Sequence, residues 1–218
     1  MSKYKLVCFD VDGTLIDNIE YSWELFHTHF NVDKKKREKA KADYFNGKIN
    51  YLQWALHDIG MWIEKKVKKQ DFFLAMRKLR LMRGAMETIR KLKENKMKLA
   101  IISGSLDIIL EYLMPNYNEV FDYVFLSKLI FDKDDNLRSV KVTEFDMIKK
   151  AEALKKIAKT EGIPLSKTVH IGDHHNDVEI AKIAGLSIAF NCKDEVLRKI
   201  AKVVINKKDL RETLRYIL

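Results

Sequence analysis

The stretch LVCFDVDGTLID, residues 6–17, decides the fold. Leu6 to Phe9 make an unbroken apolar run, short enough for a strand buried on both faces. The run ends on two carboxylates, Asp10 and Asp12, followed by Gly13 and Thr14. A buried strand that delivers paired acids belongs in an open α/β sheet, where ligands bind just beyond the carboxyl ends of the strands.

Four more runs of the same kind follow: MKLAIISGS, TVHIGDHHND, LSIAFNCKD and AKVVINKKD. Helical patterns separate most of them, at residues 85–96, 105–113, 147–161, 177–184 and 194–201, and KKDLRETLRYIL reads as a closing helix. Strands alternating with helices predict βαβ units and a parallel sheet covered by helices on both faces. Two segments break the rhythm. Residues 18–82 contain no good strand and carry aromatic helical patterns such as EYSWELFHTHF and YLQWALHDIGMW, which predicts a helical insertion after the first strand. Residues 121–145 read as a hairpin turning at DKDDN. The expected division is a core of residues 1–17 and 83–218 with a small helical cap at 18–82.

The 218 residues are 47% hydrophobic and 33% charged, as in a soluble globular chain. No apolar run approaches the roughly 20 residues of a membrane span. The opening MSKYKLVCFD pairs a short apolar run with acids, unlike a secretion signal, so a cytoplasmic location is expected. The net charge of +10 would suit anionic substrates. Its lysines alternate with glutamates along helical stretches and match no nucleic-acid motif, so neither a nucleic-acid nor a membrane partner is expected. Cys8 and Cys192 form no C-x-x-C pair, and Cys8 sits in an apolar run as a buried, inert residue would.

Three strand ends offer polar groups to one crevice: Asp10, Ser103 after KLAII, and Asp173 after TVHIG. Each has a plain structural reading. DVDG could be a turn, and it lacks the further ligands of a calcium loop. SGS could cap the next helix with Asp107, and GDHHND could be a capped polar loop.

In order and spacing, DVDGTL (10–15), ISGS (102–105), the lysine-bearing IKKAEAL (148–154) and GDHHND (172–177) resemble the four motifs of the haloacid dehalogenase superfamily. The resemblance spans essentially the whole chain and is closest to the phosphoserine-phosphatase-like branch. It implies a Rossmann-like core, Mg²⁺ and a small phosphorylated substrate. By resemblance, Asp10 is a nucleophile that becomes an aspartyl-phosphate, and Asp12 is the general acid and then the base. Ser103 and the Gly104 backbone bind phosphoryl oxygens, and Asn176 supports them. Lys150 pairs with nucleophile and phosphate, with Lys149 its rival. Asp10, the Asp12 main-chain carbonyl, Asp173 and Asp177 organise the metal. An acid at Asp12 is unlike the dehalogenases of the superfamily, and unlike its transport ATPases, which carry lysine there. His174 and His175 are expected to be hydrogen-bonded loop residues, and Trp23, Trp54 and Trp62 to be cap core.

The resemblance thins in the cap. Phosphoserine phosphatases of this kind hold the substrate amine with an acid, where this chain has Ile19 with Glu20 one residue on. They hold the carboxylate with an arginine, whose position falls at or near Asp58. No arginine lies between Arg37 and Arg77, so an arginine clamp is not expected from this cap, and Lys48 would lack the planar fork. The expectation is a phosphatase for some other small phosphometabolite. A phosphoserine phosphatase with a shifted clamp and a phosphomutase on the same core are the alternatives. A non-catalytic binding protein is disfavoured because Asp10, Asp12 and Asp173 are all present.

Overall fold

The computed structural model describes residues 3–146 and 149–218. The first apolar run forms β1 (Leu6–Phe9). The chain then passes through the two-residue strand β2 (Ile16–Asp17) into four helices, α1 (Ser22–His29), α2 (Lys34–Phe45), α3 (Tyr51–Glu64) and α4 (Lys69–Met76). It returns through β3 (Arg80–Leu81), which pairs antiparallel with β2. That short strand corrects the expectation that residues 18–82 hold none. The outgoing and incoming chains meet there, and Asp17 ties them by accepting from Arg80 Nη2 at 2.8 Å.

The rest alternates as the sequence predicts: α5 (Ala85–Glu94), β4 (Lys98–Leu106), α6 (Asp107–Leu113), α7 (Tyr117–Val120), β5 (Tyr123–Phe131), β6 (Leu137–Lys141), α8 (Lys150–Thr160), β7 (Thr168–Gly172), α9 (Val178–Ile183), β8 (Leu186–Phe190), α10 (Glu195–Ile200), β9 (Val203–Ile205) and α11 (Leu214–Ile217). The sheet order is β6-β5-β4-β1-β7-β8-β9. All its neighbours are parallel except the hairpin of β5 and β6, which turns at DKDDN. β1 sits in the middle, so its carboxyl end opens at the centre of the sheet.

Side chains alternate across a strand, and both faces of β1 are apolar. Val7 and Phe9 join a core with Ile89 and Leu92 of α5 and Leu214 of α11. Leu6 and Cys8 join a second core with Leu154 and Ile157 of α8 and Ile180 of α9. Helices therefore cover both faces, as the continuous apolar strands demand. Burial pushes the Cys8 thiol far above its usual range.

The first of these cores continues into the four-helix region, where Phe26, Trp62 and Phe72 are fully buried and meet edge to face. The helical region also rests on the hairpin, with Leu137 N–H donating to Val67 O at 3.1 Å.

Several local expectations differ from what forms. β4 does not stop at Ser103 but runs to Leu106, with its register against β5 broken between Ile102 and Leu106. Asp107 does not cap α6; its carboxylate instead accepts from Leu129 N–H at 3.1 Å. The expected closing helix is a 3₁₀ turn, Leu210–Thr213, followed by the single turn of α11. The helix expected from residue 177 opens as a 3₁₀ turn at His175–Asp177. The start of the helix expected over 147–161 lies outside the described residues at 147–148.

Candidate active site

Three strand ends converge. Asp10 follows β1 and is 4% exposed, its amide donating to Ile171 O of β7 at 3.0 Å. Asp173 follows β7. Ser103 lies in the irregular end of β4, where Ser105 N–H donates to Ser103 Oγ at 3.2 Å. Gly13 has a φ of 74°, a left-handed conformation that favours glycine, and a Cβ there would sit 2.2 Å from Asp173 Oδ2. The glycine of DVDG thus lets the loop after β1 lie directly against the acid after β7.

Lys150, not Lys149, enters this site. It is fully buried at the start of α8, and its ammonium donates to Asp10 Oδ1 at 2.6 Å and Asp177 Oδ1 at 2.8 Å. Lys149 is exposed. Asp177 Oδ2 accepts from the amides of Asp173 and His174 at 3.0 and 3.3 Å. A Cβ on Gly172 would meet that oxygen at 2.2 Å. Both Asp177 oxygens are therefore engaged by the protein itself. Burial would raise the Asp177 carboxyl, but Lys150 and His170 hold it well below the usual range. His170 lies buried on β7 with Nε2 3.2 Å from Asp177 Oδ1, a neighbour that its place inside an apolar strand did not advertise.

The remaining acids are pushed the other way. Burial raises Asp10 against the pull of Lys150. Burial, Asp10 and Asp177 raise Asp173 to about 9. One oxygen from each of Asp10, Asp173 and Asp177 lies within 4.8 Å of the others. Three buried carboxylates with one ammonium are short of positive charge, and the donors are all hard oxygens. Such a set fits a magnesium ion that retains several waters.

Asp12 is held apart from this cluster. Its Oδ2 accepts from Ser22 N–H at the start of α1 at 2.7 Å, and its Oδ1 accepts from Ser105 Oγ at 2.8 Å. Burial and the neighbouring Asp10 raise it to about 6. Ser22 and Ser105 were missed in the sequence. Ser105 lay inside the ISGS motif, whereas Ser22 is placed only by where α1 docks.

These groups form one end of a cavity of 560 Å³. Asp10, Asp12, Ser103, Gly104, Asp173 and Asn176 line it, and Asn176 Oδ1 is buried there with no hydrogen-bond partner. The other end is built by α1, α2 and α3. Asn50 and Gln53 form a capping box at the start of α3, which sets the helix so that Tyr51, Trp54, Ala55 and Asp58 face the cavity. Ile59 and Trp62 of the same helix go to the core. The helices close onto the sheet through Trp23 Nε1–H to Gly104 O at 3.1 Å and the Tyr51 hydroxyl to Asp146 Oδ2 at 2.5 Å. Tyr21 packs edge-on against His174, and His175 contacts Asp194 Oδ2 at 3.2 Å. Of the three tryptophans only Trp62 is fully buried; Trp23 and Trp54 line the cavity.

Against the expectation that this cap offers no arginine, one lines the cavity. Arg37, Lys41 and Phe45, spaced four apart on α2, face the cavity together, and Arg37 Nη2 pairs with Glu24 Oε2 at 2.5 Å. Arg37 stands at the edge of the arginine-free stretch that ends at Arg77, and α2 folds back across the crevice to present it. Ile19 packs against the core, whereas Glu20 lines the cavity and lies 3.5 Å from Lys193. Lys48 is absent from the lining and pairs with Asp43 at 3.2 Å.

Residues 4–185 match the family model of the haloacid dehalogenase-like hydrolases. A phosphoserine phosphatase of Methanocaldococcus jannaschii is 35% identical over 99% of this chain and 98% of its own length. One from Archaeoglobus fulgidus is 30% identical over 94% of this chain, which spans 58% of that longer protein. Among solved structures, a substrate-bound phosphoserine phosphatase complex superposes with a TM-score of 0.76 at 33% identity, over 99% of both chains.

Proposed function

The chain belongs to the haloacid dehalogenase-like hydrolases, and from that premise we propose that it is a Mg²⁺-dependent phosphomonoesterase that works through an aspartyl-phosphate on Asp10. The observation that carries this reading is the division of labour between two buried acids two residues apart. Asp10 is bonded to an ammonium, while Asp12 is bonded to neutral donors and raised to about 6.

In the first half-reaction an Asp10 carboxylate oxygen attacks phosphorus. The bond to Asp10 forms as the ester P–O bond breaks, and Asp12 gives its proton to the departing oxygen. In the second, Asp12 takes a proton from water as that water attacks phosphorus. The Asp10–phosphate bond breaks, and inorganic phosphate leaves with Asp10 restored as a carboxylate. Dividing hydrolysis in this way is covalent catalysis, and an acid near neutral pKa suits both proton transfers. Ser103 Oγ and the Gly104 backbone, which line the cavity, would hold phosphoryl oxygens, with Asn176 supporting them. Lys150 fixes the Asp10 rotamer and offsets anion–anion repulsion. The metal would be held by Asp10, Asp173 and the Asp12 main-chain carbonyl, with Asp177 orienting that set. When bound, it neutralises charge on the nucleophile and the phosphoryl group. A cytoplasmic setting is part of the proposal; no helix among the described residues is long and apolar enough to cross a membrane.

The substrate we infer is a small phosphorylated metabolite. Phosphoserine is the second reading, favoured by its namesake relatives and by Arg37 and Glu20 in the cavity lining. The test is phosphate release from a panel of small esters with Mg²⁺ and with EDTA. Release that depends on Mg²⁺ and is lost in Asp10→Asn supports the reading; release indifferent to both overturns it.

A further inference from the structure

One buried charge facing the cavity has no use in the chemistry above. Asp58 of α3 is 4% exposed, lines the cavity, and its Oδ1 has no hydrogen-bond partner. Its nearest basic neighbours are imidazoles: His57 Nδ1 at 3.7 Å from Oδ1 and His27 Nε2 at 3.1 Å from Oδ2. The indole N–H of Trp62 donates to His27 Nδ1 at 3.0 Å. An indole N–H can only donate, so Nδ1 must accept and the ring proton sits on Nε2, facing Asp58. His27 Nε2 thus faces one oxygen of the carboxylate, and the other, buried as well, has no donor. A buried carboxylate oxygen without a donor is costly, and such groups in a cavity await a ligand.

We propose that Asp58 reads a protonated amine on the leaving group, so that the substrates are phosphate esters of amino alcohols. This rests on the phosphomonoesterase reading and deepens it. The other charges on this wall are already engaged or lie at the rim. Arg37 is held by Glu24, Glu20 is exposed beside Lys193, and Lys41 is exposed. The surroundings suit a cation as well. Trp54 lines the same wall, stacked on Tyr44 with Tyr51 at its edge, and an ammonium is attracted to such ring faces. A carboxylate-bearing leaving group without an amine would meet Asp58 as a like charge.

The experiment compares two pairs of esters that differ only by amine against hydroxyl: 2-aminoethyl phosphate against 2-hydroxyethyl phosphate, and L-phosphoserine against 3-phosphoglycerate. In the wild type the amine member of each pair leads in kcat/KM by roughly tenfold to a hundredfold, the weight of one charge-assisted contact. In Asp58→Asn the lead shrinks to about threefold or less. Equal rates within each pair, or a lead that survives in Asp58→Asn, overturn the inference. A second measurement needs no variant: ethanolamine should inhibit the wild type competitively with a Ki about tenfold below that of ethylene glycol, and equal Ki values overturn the inference too. Release of phosphate without an amine preference defeats this inference alone. No release from any ester, p-nitrophenyl phosphate included, defeats the phosphatase reading and this one with it.

Discussion

The two ends of the cavity dispose of their charge in opposite ways. At the sheet end, Asp10, Asp177 and Lys150 are locked to one another and to backbone amides. Lys150 bridges Asp10 and Asp177, and Asp177 in turn accepts from two amides. At the helical end, Asp58 keeps a buried oxygen and Trp54 a buried Nε1–H without a partner. A site that must place reacting atoms needs its groups fixed before the substrate arrives. A surface that recognises a substrate gains from groups whose partners the substrate itself supplies. The contrast assigns chemistry to one end and choice to the other.

The largest effect should come from breaking the sheet end. Asp10→Asn is expected to lower kcat by at least about 10³-fold. Lys150 would still donate to Asp177 at 2.8 Å, so the circular dichroism spectrum and cooperative melt should persist. EDTA should silence the wild type and Mg²⁺ restore it. Retention of substantial rate in Asp10→Asn would remove the nucleophile from this wall.

Next comes Asp12. If it protonates the leaving group, Asp12→Asn should slow alkyl phosphates by roughly 10²–10⁴-fold. It should slow p-nitrophenyl phosphate less in the first half-reaction, because nitrophenolate departs without a proton. A burst of nitrophenolate followed by slow turnover would mark the second half-reaction as the one that suffers. Equal losses on both substrates, with no burst, would count against the general acid.

One of the hydrogen bonds that join the two ends runs from the Trp23 indole to Gly104 O. Trp23→Phe keeps a ring to stack on Trp62, whose centroid lies 5.5 Å away, but removes the donor. A neutral hydrogen bond contributes about 1 kcal/mol net, so KM should rise about fivefold with kcat less affected. A fall in kcat with KM constant would mean that the contact tunes the chemistry rather than the closing of the helices over the substrate.

How much of this could be read in the sequence follows the same division. The sheet end was legible because short apolar strands deposit their next residues at one edge, so Asp10, Ser103 and Asp173 could be brought together from spacing alone. Lys150 against Lys149 is a question of which side of α8 faces the sheet, and the periodicity of Ala153, Leu154 and Ile157 answers it. The helical end was not legible in that way. Arg37–Lys41–Phe45 and Tyr51–Trp54–Ala55–Asp58 are visible as helical stripes, but a stripe does not say whether it meets a core or a crevice. That depends on how α2 and α3 dock, which is settled for α3 by aromatic packing around Trp62 and by its seat on the hairpin, and for α2 by Tyr44 stacking on Trp54 of α3. Position along the chain does not place Arg37 on the cavity wall; packing does.

The smallest effect on activity separates burial from function. Asp12 and Asp107 are both raised to about 6, and burial is the leading cause for each. Only Asp12 lines the cavity; Asp107 heads α6 and gives its carboxylate to Leu129 N–H. Because the fold favours the neutral form of Asp107, its relative stability contribution is fully present below the unfolded value of about 3.8 and is lost as pH rises through about 6. Asparagine has no charge to bury and keeps an oxygen for the Leu129 amide. Asp107→Asn should therefore match the wild type in Tm near pH 4 and exceed it by several degrees at pH 8, an effect of at most about 3 kcal/mol, with phosphatase activity retained. Thermal melts of both proteins across that pH range measure it. A gap that does not widen with pH would show that the Leu129 amide stabilises the carboxylate enough to cancel the burial. Loss of activity in Asp107→Asn would show that the sheet end of the site reaches further along α6 than the cavity lining does.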